Sequence, residues 1–164
     1  MNSKNKETLV CALGGLGEVG KNMYVVMHEE ELFIIDCGVM FPEDDLMGID
    51  YVLADYNVLK TMQDKIKGLI ITHGHEDHIG GIPFLLQNIE IPVIYTPNIA
   101  GKLIKNKLEE RNIKIPKMIP VNVDTIKGLN TKKASKKKSR PTIIVMIAKR
   151  IPCINVICII SLLH

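Results

Sequence analysis

His73-Gly-His75-Glu-Asp77-His78 constrains this chain more than any other stretch. Three imidazoles and the Asp77 carboxylate fall within six residues, shortly after the apolar run Leu69-Ile70-Ile71. A short apolar run of this kind reads as a buried strand, so the cluster is expected in the loop at the strand's end. Neutral imidazole and carboxylate suit zinc and similar divalent ions. A helical site would set two histidines four apart on one face. Here His73 and His75 stand two apart, and Asp77 and His78 are adjacent. A loop can turn the first pair toward one ion and the second toward a neighbour. Two ions roughly 3.5–4 Å apart form a clamp that hydrolyses phosphate esters. A polar loop that is merely rich in histidine is the plain alternative, but no packing role asks for four ligand-type side chains together.

The rest of the chain reads as a domain built to carry that loop. Its 164 residues fit one domain with a real core. A net charge of +3 is too small to argue nucleic-acid binding by itself. Cys11, Cys37, Cys153 and Cys158 form no C-x-x-C pair and come after no secretory signal, so they read as reduced thiols in a cytoplasmic protein. Strands are expected at Thr8–Leu13, Met23–Met27, Leu32–Ile35, Gly68–Ile71 and Val93–Tyr95. Val52–Gln63 is expected to be helical over its second half, and Ile79–Gln87 over a first turn that tolerates Pro83. From Pro97-Asn98 the apolar spacing of Ile99, Leu103, Ile104 and Leu108 predicts a longer helix. Strands first, then strand and helix in alternation, fit half of an αβ/βα sandwich. His28, beside Glu29–Glu31, reads as solvated surface.

Gly15-x-Gly17-x-x-Gly20-Lys21 admits three readings. It matches a dinucleotide fingerprint, with Asp36 further on, and most of a phosphate-binding loop. Both need a helix straight after the glycines, so that its N-terminus meets the phosphate. The next segment, Met23-Tyr-Val-Val-Met27, prefers a strand instead, and Asn22 stands where a phosphate loop needs Ser or Thr. The third reading, a tight turn between strands that brings backbone close to the metal pocket, fits better. Asp36 ends an apolar strand before Cys37-Gly38 and reads either as a turn cap or as a support for a ligand imidazole. Asp44, Asp45 and Asp50 belong to a loop on the pocket side, and nothing in their spacing makes them ligands.

Thr72-His73-Gly74-His75-Glu76-Asp77-His78-Ile79-Gly80-Gly81 resembles the H-x-H-x-D-H signature of the metallo-β-lactamase superfamily. Three further segments narrow the likeness: Leu13-Gly-Gly-Leu-Gly-Glu-Val-Gly-Lys-Asn22, Ile34-Ile-Asp36-Cys-Gly38 and Phe41-Pro-Glu-Asp-Asp-Leu-Met-Gly-Ile-Asp50. Together they are similar to the amino-terminal part of the ribonuclease J family, beta-CASP nucleases with endonuclease and 5′-to-3′ exonuclease activity. The likeness runs from about Leu9 to about Lys127. It implies an α/β (α+β) fold, the N-terminal half of a metallo-β-lactamase sandwich, over residues 1–127. It implies RNA as partner in RNA processing and decay, no membrane, and two zinc ions, with manganese as the other candidate. His73 and His75 would hold one ion, Asp77 and His78 the other, and Asp36 would support the site from behind. The chemistry implied is hydrolysis of a phosphodiester by water, the metals neutralising charge on the phosphate oxygens and Asp77 orienting the water. Homo-oligomers are compatible with the resemblance.

The chain also departs from the pattern. A catalytic zinc usually keeps three protein ligands and a water, whereas the cluster offers two per ion. The family supplies the rest from later histidines and a bridging aspartate; no histidine lies between His78 and His164, and Asp124 is the only aspartate after Asp77. Residues 128–164, with the lysine run up to Arg140 and the apolar pieces Pro141–Ala148 and Ile151–Leu163, do not resemble the family. The expectation is a truncated frame with an out-of-frame tail. Lys149 and Arg150 interrupt the apolar stretch, so neither piece reaches the ~18 residues of a membrane span. The lysine run lacks interleaved aromatics and reads as a solvated linker rather than a nucleic-acid arm. Two alternatives to the ribonuclease remain: another hydrolase of this fold, and a non-catalytic metal-binding remnant.

Overall fold

The computed structural model describes residues 8–42 and 48–121. Asp44, Asp45, the boundary expected at Lys127 and the tail 128–164 lie outside them. In chain order the elements are β1 (Thr8–Gly14), β2 (Met23–His28), β3 (Glu31–Ile35), β4 (Val39–Met40), β5 (Val52–Leu53), α1 (Asn57–Lys60), a 3-10 turn (Gln63–Lys65) and β6 (Ile66–Ile70). Next come α2 (Glu76–Ile79), α3 (Ile82–Leu86), β7 (Val93–Thr96), α4 (Asn98–Glu110) and β8 (Lys117–Pro120). Six strands form one mixed sheet in the order β1-β2-β3-β6-β7-β8. The first three make an antiparallel meander. From β3 onward the pairings are parallel. This is a mixed α/β architecture, as the resemblance to the metallo-β-lactamase superfamily implies.

Strand alternation sorts the core onto the two faces of the sheet. Met23, Val25, Leu32, Ile34 and Leu69 point to one face, where they meet Leu59 of α1, Ile79 of α2, Ile82 and Leu85 of α3, and Ala100, Ile104 and Leu108 of α4. Tyr24, Val26, Phe33, Ile35 and Ile70 form a second buried cluster on the other face. Residues buried on both faces explain why β2, β3 and β6 are near-continuous apolar runs. Each such side chain contributes about 1.5–3 kcal/mol by leaving water. Among the described residues, no helix is long and apolar enough to cross a membrane.

Three local expectations need correcting. His28 is not solvated surface: it is 6% exposed. β2 runs one residue beyond Met27, which pairs His28 with Thr8 across the sheet, and a ring nitrogen (Nδ1) lies 2.8 Å from the Thr8 hydroxyl. The helical turn expected from Ile79 begins earlier, at Glu76, and a separate helix continues past Pro83 to Leu86. Asp77 and His78 therefore lie on a helical turn rather than in the loop, which ends at His75. β8 went unforeseen, because Lys117–Pro120 is short and its middle residues, Met118 and Ile119, are its only apolar ones before the proline. It pairs with β7 as an outer strand, where a proline is tolerated.

Cys11 is exposed and Cys37 buried, both as free thiols. Burial pushes the Cys37 thiol far above the usual range, and the Asp36 carboxylate adds to the shift. Only the thiolate reacts readily. Iodoacetamide should therefore modify Cys11 in the folded chain and Cys37 only after denaturation, as read by peptide mass spectrometry; early labelling of Cys37 would contradict this packing.

Candidate metal centre

The parallel pairing of β3 with β6 sets Ile35 opposite Ile70. Both strands end there, so the residues after them leave the sheet side by side. Ligand sites of open α/β sheets form at such carboxyl ends. The Asp36 amide donates to the Ile70 carbonyl at 2.9 Å, and Asp36 turns with φ 57. Its side chain is fully buried. Aspartate tolerates this left-handed conformation better than most residues.

Three donors share the buried carboxylate. The Thr72 amide donates to Asp36 Oδ1 at 2.8 Å, and the Thr72 hydroxyl to Oδ2 at 2.6 Å. His78 Nδ1 lies 2.7 Å from Oδ2. An acceptor-only carboxylate requires the proton on that nitrogen, which leaves Nε2 of His78 with its lone pair. The Thr72 hydroxyl spends its hydrogen on Asp36, so it accepts from His73 Nδ1 at 2.9 Å. His73 Nε2 is thereby also left with a lone pair. Burial lowers the His73 pKa, and the neighbouring His78 adds to the effect, which favours the neutral, ligand-competent ring.

Two donor pairs result. His73 Nε2 lies 3.1 Å from His75 Nδ1, and His78 Nε2 lies 3.3 Å from Asp77 Oδ2. Two ligands on one tetrahedral zinc, with bonds of about 2.0–2.1 Å, stand roughly 3.3–3.4 Å apart. Each pair thus fits one edge of a coordination shell. Neither shell is closed: among the described residues, no group of three or more His, Cys, Asp or Glu side chains is arranged to hold one ion.

A sequence profile of the metallo-beta-lactamase superfamily matches residues 16–143, a span that contains the whole cluster. The chain belongs to the metallo-beta-lactamase superfamily. Within it, Ribonuclease J 1 of Streptococcus pyogenes is 54% identical over 110 residues, which are 67% of this chain and 20% of that protein. Ribonuclease J of Mycoplasma genitalium is 50% identical over 70% of this chain and 20% of its own length. Ribonuclease J 2 of Staphylococcus aureus is 42% identical over 77% of this chain and 23% of its own length. The chain thus spans about a fifth of the curated relatives it matches. A diphosphatase of the PhnP family shares 17% identity and a TM-score of 0.47, covering 71% of this chain and 51% of that one. Superfamily membership implies divalent-metal binding.

The superfamily signature is held in place by a wall that local sequence patterns do not assign to the site. The Asn22 amide donates to the Asp77 carbonyl at 3.0 Å, while its side chain reaches the same carbonyl and Asp77 Oδ2, each at 3.1 Å. Cys37 N–H donates to the His78 carbonyl at 2.8 Å, and Gly38 N–H to the Asn22 carbonyl at 3.0 Å. The glycine segment at 15–20 is indeed a turn between β1 and β2, with no helix after it. It delivers Asn22, not a phosphate cradle. In the sequence, Asn22 stands only at the end of the glycine segment that carries the resemblance, and where a phosphate loop would have Ser or Thr. Thr72 sat in the signature without a role. Asp50 is exposed and stands outside both the wall and the donor pairs.

Proposed function

We propose that this chain carries the metal-binding part of a ribonuclease of the ribonuclease J kind, an endonuclease and 5′-to-3′ exonuclease for RNA in the cytoplasm. The observation that carries the reading is the pair of two-donor sets at the carboxyl end of β6 (Ile66–Ile70), in a chain half-identical to named ribonucleases J over two thirds of its length. His73 and His75 hold one divalent ion, and Asp77 and His78 hold the other. Zinc suits imidazole and carboxylate donors, and manganese is the other candidate. Bound there, the ions would supply positive charge to the phosphate oxygens. Asp36 holds the His78 ring directly, and the His73 ring through Thr72. Asn22 steadies Asp77. The Asp77 side chain is partly exposed, and orienting the attacking water is the catalytic role assigned to it.

The two-donor sets favour a second reading for the chain by itself, a weak metal-binding module without hydrolysis. Metal content of the purified chain, measured beside His73→Ala and Asp77→Ala and paired with cleavage of a 5′-phosphorylated RNA, separates the two. Two ions per chain, lost in the variants together with cleavage, establish the nuclease in this chain. Binding without cleavage of RNA leaves the metal-binding module. A thioester or lactam cleaved in place of RNA would move the chain to another hydrolase of this fold.

A further inference from the structure

Three of the four donor side chains are held from behind, and one is not. Asp36 holds the His78 ring directly and the His73 ring through Thr72. Asn22 holds Asp77. His75 is exposed, and among the described residues its ring hydrogen-bonds to His73 alone, at 3.1 Å. Ligand imidazoles are normally oriented by a partner on their other nitrogen. Without one, His75 is aimed by the main chain that carries it.

That main chain is braced on both sides by α4 (Asn98–Glu110). Before His75, a Cβ at Gly74 would stand 3.0 Å from Leu103 Cδ1 and 3.4 Å from Ala100 Cα, so the loop lies against the helix. After His75, Glu76 Oε1 lies 2.7 Å from Lys107 Nζ. Ala100 and Lys107 are two turns apart, about 10 Å along the helix. The helix is itself fixed to the sheet through Ala100, Ile104 and Leu108, all buried. Lys107 has a carboxylate three positions on in its own helix, Glu110, yet it reaches across to α2. Lys105 instead pairs along the helix with Glu109, at 3.6 Å.

We propose that Lys107 is a positioning residue for the metal centre, fixing through Glu76 the main chain that aims His75 at its ion. This role rests on the reading above, in which His73 and His75 hold one ion and Asp77 and His78 the other. The effect of losing the ion pair is one-sided. The stretch 74–76 is freed at its far end and His75 loosens. Asp77 and His78 keep their own supports in Asn22 and Asp36. An ion pair that merely fastened α4 to α2 would act on both ions alike.

Cobalt(II) titration of the full chain tests this, with each ion isolated by a second substitution. Asp77→Ala leaves the His73–His75 pair, and His73→Ala leaves the Asp77–His78 pair. Lys107→Met removes the charge and keeps the apolar stem. In the Asp77→Ala chain it should weaken cobalt binding about tenfold, the lower end of the range for a lost outer partner. In the His73→Ala chain binding should stay as it was. Lys107→Arg should restore the affinity, and Lys105→Met should leave it unaltered. All three lysine variants should melt close to the parent, because a partly exposed ion pair contributes little to folding. In the metal-free chain, Lys107→Met should move the NMR signal of the His75 Cε1 proton and leave that of His78 in place. Equal losses at both ions, a matching loss in Lys105→Met, or an unmoved His75 signal overturns the proposal. An unsubstituted chain that takes up no cobalt refutes instead the metal reading from which the proposal starts.

Discussion

Gly38→Ala is expected to lower stability by about 3 kcal/mol or more, at the upper end of the range for overpacking. For a domain of about 100 residues, that is a drop of more than about 10 °C in melting temperature. A Cβ at Gly38 would fall inside the van der Waals envelope of the Asp77 carbonyl and press on the His78 amide. Both obstacles are backbone and cannot rotate aside. They are also tied down, because the Asp77 carbonyl accepts from Asn22 and the His78 carbonyl from Cys37. Relief would require α2 to move away, taking Asp77 and His78 with it. Metal binding should therefore fall along with the melting temperature. Gly17→Ala is the comparison: open space surrounds that position, but φ is +72. It should cost only the left-handed penalty of about 1–2 kcal/mol and leave metal content intact. Thermal melting and metal analysis on both variants check the pair, and a Gly38→Ala chain that melts like the parent would refute the contact.

Asp36→Ala is expected to reduce metal affinity by about 10- to 100-fold, the usual cost of removing a carboxylate behind a ligand imidazole. Two of the imidazoles depend on Asp36, His78 directly and His73 through Thr72. Without it the Thr72 amide loses a buried acceptor, a loss of about 1–3 kcal/mol, and alanine must adopt the φ of 57. Asp36→Asn separates orientation from folding. Asparagine accepts the left-handed backbone and can still accept a hydrogen bond from Thr72 or His78. It should recover most of the stability while metal affinity stays below that of the parent. Zinc titration against a competing chelator, alongside thermal melting, reads both effects. Parental affinity in both variants would remove Asp36 from the centre.

Short apolar runs bounded by turn residues make β2, β3, β6 and β7 legible from sequence alone, because both faces of these strands must be filled. The helix from Asn98 is equally plain in the spacing of Ile104 and Leu108, both buried against the sheet. The four clustered donors are visible because they are close in sequence. The features that stay hidden depend on contacts distant along the chain. Asn22 meets Asp77 across 55 positions, and no local pattern announces that. His28 looks like a surface residue among glutamates until β2 is seen to extend to it and pair it with Thr8. The turn at Glu76 is obscured by Gly80, Gly81 and Pro83, which argue locally against a helix. Here the loop hydrogen bonds from His78 and Ile79 back to His75 outweigh that local preference.

The parallel pairing of β3 with β6 has a further consequence for how such a chain can diversify. Only two strand ends have to meet for Asp36 and Thr72 to come together, and the thirty residues between Asp36 and Lys67 travel from one to the other by a crossover. Apart from Cys37 and Gly38 against α2, this crossover carries none of the donors. Its exposed positions, such as Phe41, Ile49 and Val58, can change without touching the register of the two strands, whereas Val39, Ala54 and Leu59 are held in the core. A lineage can thus vary the surface beside the metal-ligand loop while inheriting the strand pairing that brings Asp36 to Thr72.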